Sequence, residues 1–328
     1  MKHITYFTIF LCIILSSCSL HQSRPQVVVY TSVDQVYSEP ILKEFEKKTG
    51  IKVLAVYDVE ATKTVGLVNR LIAEKDKPQA DVFWNNEFTQ TLVLKDKKVL
   101  GMFRPQSSRD IPVHYVDPDC YWTGFGGRAR VILINKKLVS AEKYPKSIRD
   151  LLTTDIPAKD IGISNPLFGT ALTHAASLYA LWGPQKAKEF YLALRDRGVR
   201  VVDGNSVVRD LVVDGQLAMG LTDTDDSFQA IKSGAAVKMI YPDQDSSGTL
   251  IFPNTVSLVA GAPHPQEAQE LIEYLLTREV EDALIASGYL QFSLRSGSSG
   301  VKGMKTDFAD ILICVPQTTS DLREIFLR

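Results

Sequence analysis

Three carboxylates stand within four residues, at Asp223, Asp225 and Asp226, just after a predicted buried strand that ends at Leu221. Like charges this close repel one another, and a bound metal ion or organic ammonium group relieves that cost. Asp is also favoured in turns and at helix N-termini, so a solvated turn with helix caps explains the same cluster without a ligand. We expect Asp225 and the neighbouring Thr224 to contact a ligand, and Asp223 and Asp225 to be candidate metal ligands.

Polar side chains also follow the predicted strands in the first part of the chain. Ser32 and Asp34 come after the first strand, Thr62 after the second, and Asn86 with Glu87 after the third. In open α/β sheets, ligands bind beyond the carboxyl ends of the strands. These residues are therefore predicted ligand contacts, and Asp34 and Glu87 are also predicted metal ligands. Helix capping is an alternative role for each of them.

Residues suited to an anion stand at the starts of two predicted helices. Gly169 and Thr170 open one helix, and Asn205 opens another. The N–H groups and the dipole at such helix ends attract a carboxylate or a phosphonate, although plain N-capping is the alternative. Arg128 and Arg130 flank one residue, so in an extended chain they point the same way. Arg128 is predicted to bind the anion bidentately or to form a salt bridge across a hinge.

Strands and helices alternate along the chain. Residues 27–30, 51–57 and 80–84 have the composition of buried strands, and amphipathic helices separate them. The alternation restarts near residue 130 and continues to about residue 276. It predicts an α/β protein of two lobes, each a mainly parallel sheet flanked by helices, with the ligand in the cleft. The predicted boundaries are 27–125 for the first lobe, completed by about 250–328, and 126–249 for the second.

The N-terminal segment resembles a bacterial lipoprotein signal. Lys2 precedes an apolar run from Ile4 to Leu15, and two serines then lead to Cys18. The resemblance implies a signal peptide over 1–17, a lipid on Cys18 that anchors the protein to the membrane, and a tether over 18–26. The apolar run is shorter than the roughly 20 residues of a membrane-spanning helix. An ordinary signal peptide with an incidental cysteine, or a buried apolar helix, is the alternative.

Length and composition exclude several classes of protein. The chain has 328 residues, of which 45% are hydrophobic and 23% charged, as in an ordinary globular protein large enough for two lobes. Its net charge of -1 gives no electrostatic reason to bind nucleic acid. The common signatures of metalloproteases, hydrolases and nucleotide-binding proteins do not occur in it. Cys120 and Cys314 form a disulfide or remain two thiols, and their spacing leaves both open.

Several motifs resemble the family 1 extracellular solute-binding proteins, most closely the ferric-iron-binding type that serves ABC importers. The motifs are Tyr30-Thr31-Ser32, Phe45 to Val53, Pro78 to Trp84, Gly127 to Val131, Gly204-Asn205-Ser206 and Gly261 to Ala268. Their order and spacing carry the resemblance, which runs from about Val27 to Arg295. It implies a type II periplasmic-binding-protein fold, a clamp whose lobes close on the solute. It also implies no enzymatic chemistry and no cofactor, any bound metal ion being cargo.

The chain departs from the ferric binders at their ligand positions. Those proteins usually have a histidine or tyrosine after the first strand, where this chain has Asp34 and Gln35. They usually have two adjacent tyrosines where this chain has Thr224 and Asp225, and this alignment makes Asp225 the first candidate ligand. A hard cation here would be held by carboxylates, which are hard oxygen donors, in place of a phenolate pair.

The resemblance implies a substrate-binding lipoprotein that passes a small solute to an ABC transporter permease. We expect a monomer in the periplasm or at the cell surface. Its solute is ferric iron or another hard cation with a synergistic anion, or else a zwitterion such as an aminoalkylphosphonate. Alternatives of another class are an exported metal-dependent hydrolase and a solute sensor. The hydrolase would need a nucleophile–base arrangement, and the sensor a fused signalling domain, and we find neither in the sequence.

Overall fold

The computed structural model describes residues 24–58, 65–296 and 300–327. In its first lobe, β1 (Gln26–Thr31) pairs in parallel with β2 (Lys52–Tyr57) and with β3 (Val82–Asn85). A short strand, β4 (Leu100–Gly101), lies at the side of this sheet. The helices of the lobe are α1 (Gln35–Thr49), α2 (Val65–Ala73) and α3 (Thr89–Asp96), with α9 (Pro265–Leu275) and α10 (Arg278–Ser287) from later in the chain.

Helix α1 illustrates how local sequence sets these elements. Its apolar residues Ile41, Leu42 and Phe45 are buried on one face against the sheet. The helix ends where Gly50 adopts a left-handed conformation with φ 77°, and the Gly50 N–H donates to the carbonyl of Glu46. Glycine takes this conformation without steric cost, so it ends the helix and lets the chain turn into β2.

The second lobe has its own parallel strands. β6 (Ile161–Ser164) pairs with β7 (Arg200–Val202) and with β8 (Met219–Asp223). Its helices are α4 (Asp150–Thr153), α5 (Gly169–Trp182), α6 (Pro184–Arg197), α7 (Asn205–Val213) and α8 (Thr224–Lys232). Helices α5, α7 and α8 each begin within a few residues of the end of a strand, so their N-termini gather at one edge of the sheet.

Two long strands, β5 (Thr123–Asn135) and β10 (Ile251–Val259), join the lobes and pair antiparallel. β10 also borders β3, and β5 borders β8 and β9 (Val237–Ile240), all antiparallel. Each lobe therefore has three parallel strands with an antiparallel strand beside them. This arrangement confirms the α/β fold, and both sheets are mixed. Gly126 in β5 has φ 57°, and a Cβ there would lie 2.1 Å from Leu290 Cδ1, so only glycine fits.

Separate apolar cores lie in the two lobes, and a smaller one lies between them. The core between the lobes contains Phe88, Trp122, Ala176, Phe252 and Ile311. Each large apolar side chain in it contributes roughly 1.5–3 kcal/mol to folding. The helix α11 (Phe308–Phe326) supplies part of this core and contacts α5 and α6 of the second lobe and α3 of the first. The boundary that assigns 250–328 to the first lobe stays a prediction: α9 contacts β1 and β3 of that lobe, while α11 contacts both lobes.

The predicted signal peptide, Cys18 and most of the predicted tether lie outside the described residues. Cys120 and Cys314 are both free thiols, so the two do not form a disulfide with each other. Within the described part of the chain, every helix is too short or too polar to cross a membrane.

Candidate functional site

A small cavity of about 40 Å³ lies between the lobes, where the carboxyl ends of the parallel strands face each other. We call it the inner chamber. Eight of the predicted site residues line it: Asp34, Asn86, Arg128, Gly169, Thr170, Asn205, Asp223 and Asp225. A cavity needs about 10–15 Å³ to hold one water molecule, so this one has room for only a few. The lobes are therefore in contact around a small polar space.

The N-termini of α5 and α7 form one wall of the inner chamber. The residues before them, Phe168 and Gly204, provide no side-chain hydrogen bond to cap the helices. The first N–H groups of a helix have no partner within the helix, and together with the helix dipole they favour an anion. Two helix ends directed at one cavity make this wall suitable for a carboxylate, phosphate or phosphonate group.

Arg130 fixes both helix ends to β8. Its Nη1 donates to Asp223 Oδ1 at 2.7 Å and to Asn205 Oδ1 at 2.8 Å. Asp223 Oδ2 accepts from Thr170 Oγ1 at 2.6 Å and from Asn205 Nδ2 at 2.9 Å. Both oxygens of Asp223 are thus engaged by protein donors, which gives this carboxylate a structural role. Its predicted role as a metal ligand stays a prediction.

Arg128 bridges the lobes. Its Nη1 donates to Asp225 Oδ2 and its Nη2 to the carbonyl of Asn86, both at 2.7 Å. Burial lowers the pKa of Arg128, but the charges of Asp225, Tyr289 and Asp223 outweigh it, so the pKa is raised and the guanidinium stays charged. Its buried Nε has no acceptor among the described residues. Arg128 therefore fulfils the predicted salt bridge and still lines the chamber.

Glu87 is turned away from the inner chamber. Its carboxylate is fully buried and accepts from Asn85 Nδ2 at 3.1 Å, from the N–H groups of Thr89 and Gln90 at 2.5 and 2.9 Å, and from Thr173 Oγ1 at 2.6 Å. Burial raises the pKa of Glu87, and these donors lower it by a smaller amount. Thr173 belongs to α5, so this carboxylate joins the lobes. As a ligand, Glu87 stays a prediction without geometric support.

The remaining predicted residues lie behind the chamber wall or outside the described chain. Ser32 Oγ donates to Asn85 Oδ1 at 2.6 Å and accepts from the N–H of Asn86 at 2.9 Å, which shapes the loop after β3. Thr224 Oγ1 accepts from the N–H of Ala129 at 3.1 Å and ties α8 to β5. Thr62 lies outside the described residues.

A second cavity, of about 230 Å³, adjoins the first, and we call it the outer chamber. Four residues line both chambers: Asp34, Ser206, Asp225 and Asp226. The outer chamber adds Val36 and Tyr37 of α1, Arg209 of α7 and Gln229 of α8. Sequence reasoning missed these four residues. The available signal was their position within predicted helices that begin beside the expected site, above all Tyr37, three residues after Asp34.

Metal-binding side chains are present but do not form a ready cluster. Within residues 24–58, 65–296 and 300–327, no group of three or more His, Cys, Asp or Glu side chains is placed to hold a metal ion. His174 is buried beside the site on α5, and burial together with Arg130 lowers its pKa to about 3. It is therefore neutral at physiological pH.

Comparison with known proteins matches residues 41–300 to the model of the family described as bacterial extracellular solute-binding protein. Iron uptake protein A1 of Synechocystis is 24% identical over 301 residues, which are 84% of this chain and 80% of that protein. A putative 2-aminoethylphosphonate-binding periplasmic protein of Salmonella typhi is 27% identical over 244 residues, 72% of this chain and 68% of that protein.

Among solved structures, the ferric binding protein from Campylobacter jejuni superposes with a TM-score of 0.81 at 21% identity. The match covers 92% of this chain and 99% of that one. Identity this low establishes the fold alone. The two-lobed periplasmic-binding-protein fold implied by the sequence motifs is thereby confirmed.

Proposed function

The chain belongs to the bacterial extracellular solute-binding protein family, and we propose that it delivers a small zwitterionic solute to an ABC importer. The solute carries an anionic group and a positively charged amino group, as an aminoalkylphosphonate does. The protein binds it between the lobes and passes it to the permease without chemical change. The inner chamber, where the ends of α5 and α7 meet Arg128 and several carboxylates, is the observation that carries this proposal.

The anionic group is assigned to the wall made by α5 and α7. N–H groups at Gly169, Thr170 and Asn205 supply donors there, and Arg128, which also lines the chamber, adds a positive charge. A tetrahedral phosphonate has three acceptor oxygens and suits donors that converge from several elements.

The positively charged group is assigned to the carboxylates. Asp34, Asp203, Asp223, Asp225 and Asp226 line the inner chamber together with one guanidinium, that of Arg128. Arg130 pairs with Asp223, Arg128 with Asp225 and Arg209 with Asp226, so the five carboxylates still exceed these three guanidinium groups and attract a further positive group. An aminoalkylphosphonate satisfies both walls at once.

A second candidate solute is ferric iron, or another hard cation, with a synergistic anion. Carboxylate oxygens are suitable hard donors, and relatives of this chain are named for iron. Two of the four predicted metal ligands, Asp223 and Glu87, already accept hydrogen bonds on both oxygens. This engagement is why we place the zwitterion first.

The solute that the protein retains on purification distinguishes the two candidates. Mature protein is denatured, and the released material is analysed by mass spectrometry and for metals. We expect an organic zwitterion in near-equimolar amount and metal far below one equivalent. One ferric ion per protein without an organic zwitterion would overturn the first candidate in favour of the second.

Membrane attachment is a separate part of the proposal. Acylation at Cys18, after removal of residues 1–17, would anchor the protein by its N-terminus. Cys18→Ala is expected to release soluble protein or to leave the precursor unprocessed, which fractionation and mass spectrometry of the N-terminus detect. Unchanged processing and unchanged attachment to membranes would reject acylation at this residue.

A further inference from the structure

The two adjoining chambers divide the site into a small part and a larger part. The inner chamber of about 40 Å³ meets the outer chamber of about 230 Å³ at residues that line both, among them Asp34, Asp225 and Asp226. A metal ion with a small anion would need only the inner space. The larger outer chamber has room for a second part of the solute.

The charges that line the outer chamber favour a cation. Asp34, Asp225 and Asp226 contribute three carboxylates and Arg209 one guanidinium. Arg209 is itself held by Asp226, at 3.1 Å from Nη1, and by Asp210, at 2.8 Å from Nε. Asp225 is paired in turn with Arg128 of the inner chamber, at 2.7 Å from Nη1, so three carboxylates and two guanidinium groups leave this region with a net negative charge.

Tyr37 lines the same space. The ring stacks on Tyr289 with 5.0 Å between ring centroids. Tyr289 is fixed in turn, because its Oη donates to Asn254 Oδ1 of β10 at 2.7 Å. The Tyr37 ring is therefore held in place before any ligand enters.

The pKa of the Tyr37 phenol is shifted by burial and by neighbouring carboxylates. Burial, followed by the carboxylates of Asp225, Asp226 and Asp34, raises the pKa of Tyr37 to about 12. The phenol stays neutral at physiological pH, and its ring lies in a negative field. A positively charged group above the ring would gain from both the ring and the carboxylates.

We propose that the outer chamber holds the amino end of the solute against the ring of Tyr37, while the anionic end occupies the inner chamber. This inference rests on the proposed function and narrows the place of the positive charge, from the carboxylates of the inner chamber to the three that the outer chamber shares with it, Asp34, Asp225 and Asp226. The solute class is then an organic zwitterion whose two charges lie in two chambers. Tyr37 then makes the site prefer a solute that ends in an amino group over a solute whose corresponding end is uncharged.

Two small phosphonates test the contributions of the two chambers separately. Methylphosphonate carries only the anionic group, and 2-aminoethylphosphonate carries the amino group as well. We expect calorimetric titration of wild-type protein to show 2-aminoethylphosphonate binding more tightly. Tyr37→Ala should reduce that preference by about 5-fold, since a cation over an aromatic face is worth this much or more when desolvated. It should leave the affinity for methylphosphonate nearly unchanged.

Matched variants identify the aromatic face as the cause. Tyr37→Phe keeps the ring and should keep the preference. Tyr57→Ala, which removes a tyrosine outside both chambers, should also keep it. Tyr37→Leu retains apolar bulk and replaces Tyr37→Ala if that variant loses its native circular dichroism.

The outcomes distinguish this inference from the proposed function. If 2-aminoethylphosphonate binds and its preference survives in both Tyr37→Ala and Tyr37→Leu, the inference is overturned and the proposed function stands. If neither phosphonate binds to wild-type protein, both are overturned. A loss of preference in Tyr37→Ala and Tyr37→Leu, but not in Tyr37→Phe or Tyr57→Ala, supports the inference.

Discussion

The two walls of the inner chamber are built differently. The second-lobe wall is fixed internally, since Arg130, Asp223, Thr170 and Asn205 form one buried hydrogen-bonded network. Among the described residues, the first-lobe wall contributes Asp34 and Asn86 to the lining. A wall fixed in advance loses little freedom on binding. We infer that the solute docks on the second lobe and that the first lobe closes over it.

The largest effect should follow from removing the network of the second wall. Arg130 is 1% exposed, so Arg130→Met removes the buried 2.7 Å ion pair of Asp223 and leaves it the more distant guanidinium of Arg128, at 3.7 Å. Breaking such a buried pair costs about 3–5 kcal/mol of unfolding free energy, which urea denaturation measures. Lys43→Met is the matched control, because its exposed pair with Glu46 contributes about 0–1 kcal/mol. Equal losses in the two variants would contradict a fixed second wall.

Substituting one carboxylate on each wall shows which wall contributes more to the affinity for the solute. Asp225 of the second wall bonds Arg128, so Asp225→Asn should weaken 2-aminoethylphosphonate binding by about 30-fold or more. Asp34→Asn on the first wall changes a more exposed carboxylate and should cost at most about 5-fold. Calorimetric titration compares them. A loss for Asp34→Asn as large as that for Asp225→Asn would remove the asymmetry between the walls.

Acid should destabilise the second lobe through His174. Its pKa falls from 6.5 to about 3 on folding, so between these values the unfolded chain binds the extra proton and stability drops as pH falls. Between pH 6.5 and 5 this amounts to about 2 kcal/mol. His174→Gln should have a flatter pH dependence of unfolding free energy than wild type, whereas the exposed His114→Gln should follow wild type. Identical slopes for His174→Gln and wild type would refute this.

The smallest effect concerns closure of the first wall. Thr173→Val removes the 2.6 Å hydrogen bond from α5 to Glu87. This should destabilise the closed form by about 1 kcal/mol. Because the solute binds the closed form, its affinity should fall about 5-fold. Ser177→Ala is the control, because its hydroxyl bonds only to the carbonyl of Thr173 within the same helix. Unchanged affinity in Thr173→Val would mean that this contact does not hold the lobes together.

Much of the fold was predictable because periodicity is local. The alternation of strands and helices indicated two α/β lobes, but it does not fix where a helix begins: α1 begins at Gln35 and contains Pro40. Proline removes only one N–H from the helix. The first turn still forms, since the N–H groups of Tyr37 and Ser38 donate to the carbonyl of Asp34.

The site was predictable in outline and not in detail. Position after a strand places a residue near the sheet edge, which is why Asp34, Asn86 and Asp225 line one cavity. It does not fix where the side chain points, and Glu87 turns to the N–H groups of Thr89 and Gln90 instead. The outer chamber depends on α1 meeting α7 and α8 in three dimensions, which no local pattern reveals.

Titration of wild-type protein and Arg128→Met with 2-aminoethylphosphonate tests the central claim most directly. Arg128 joins Asp225, Asn86 and the inner chamber, so we predict one binding site in wild type and a loss of about 30-fold or more in the variant. Arg104→Met, an exposed arginine outside the chambers, should bind like wild type. The account would be contradicted if wild-type protein bound no phosphonate, or if Arg128→Met bound it with wild-type affinity.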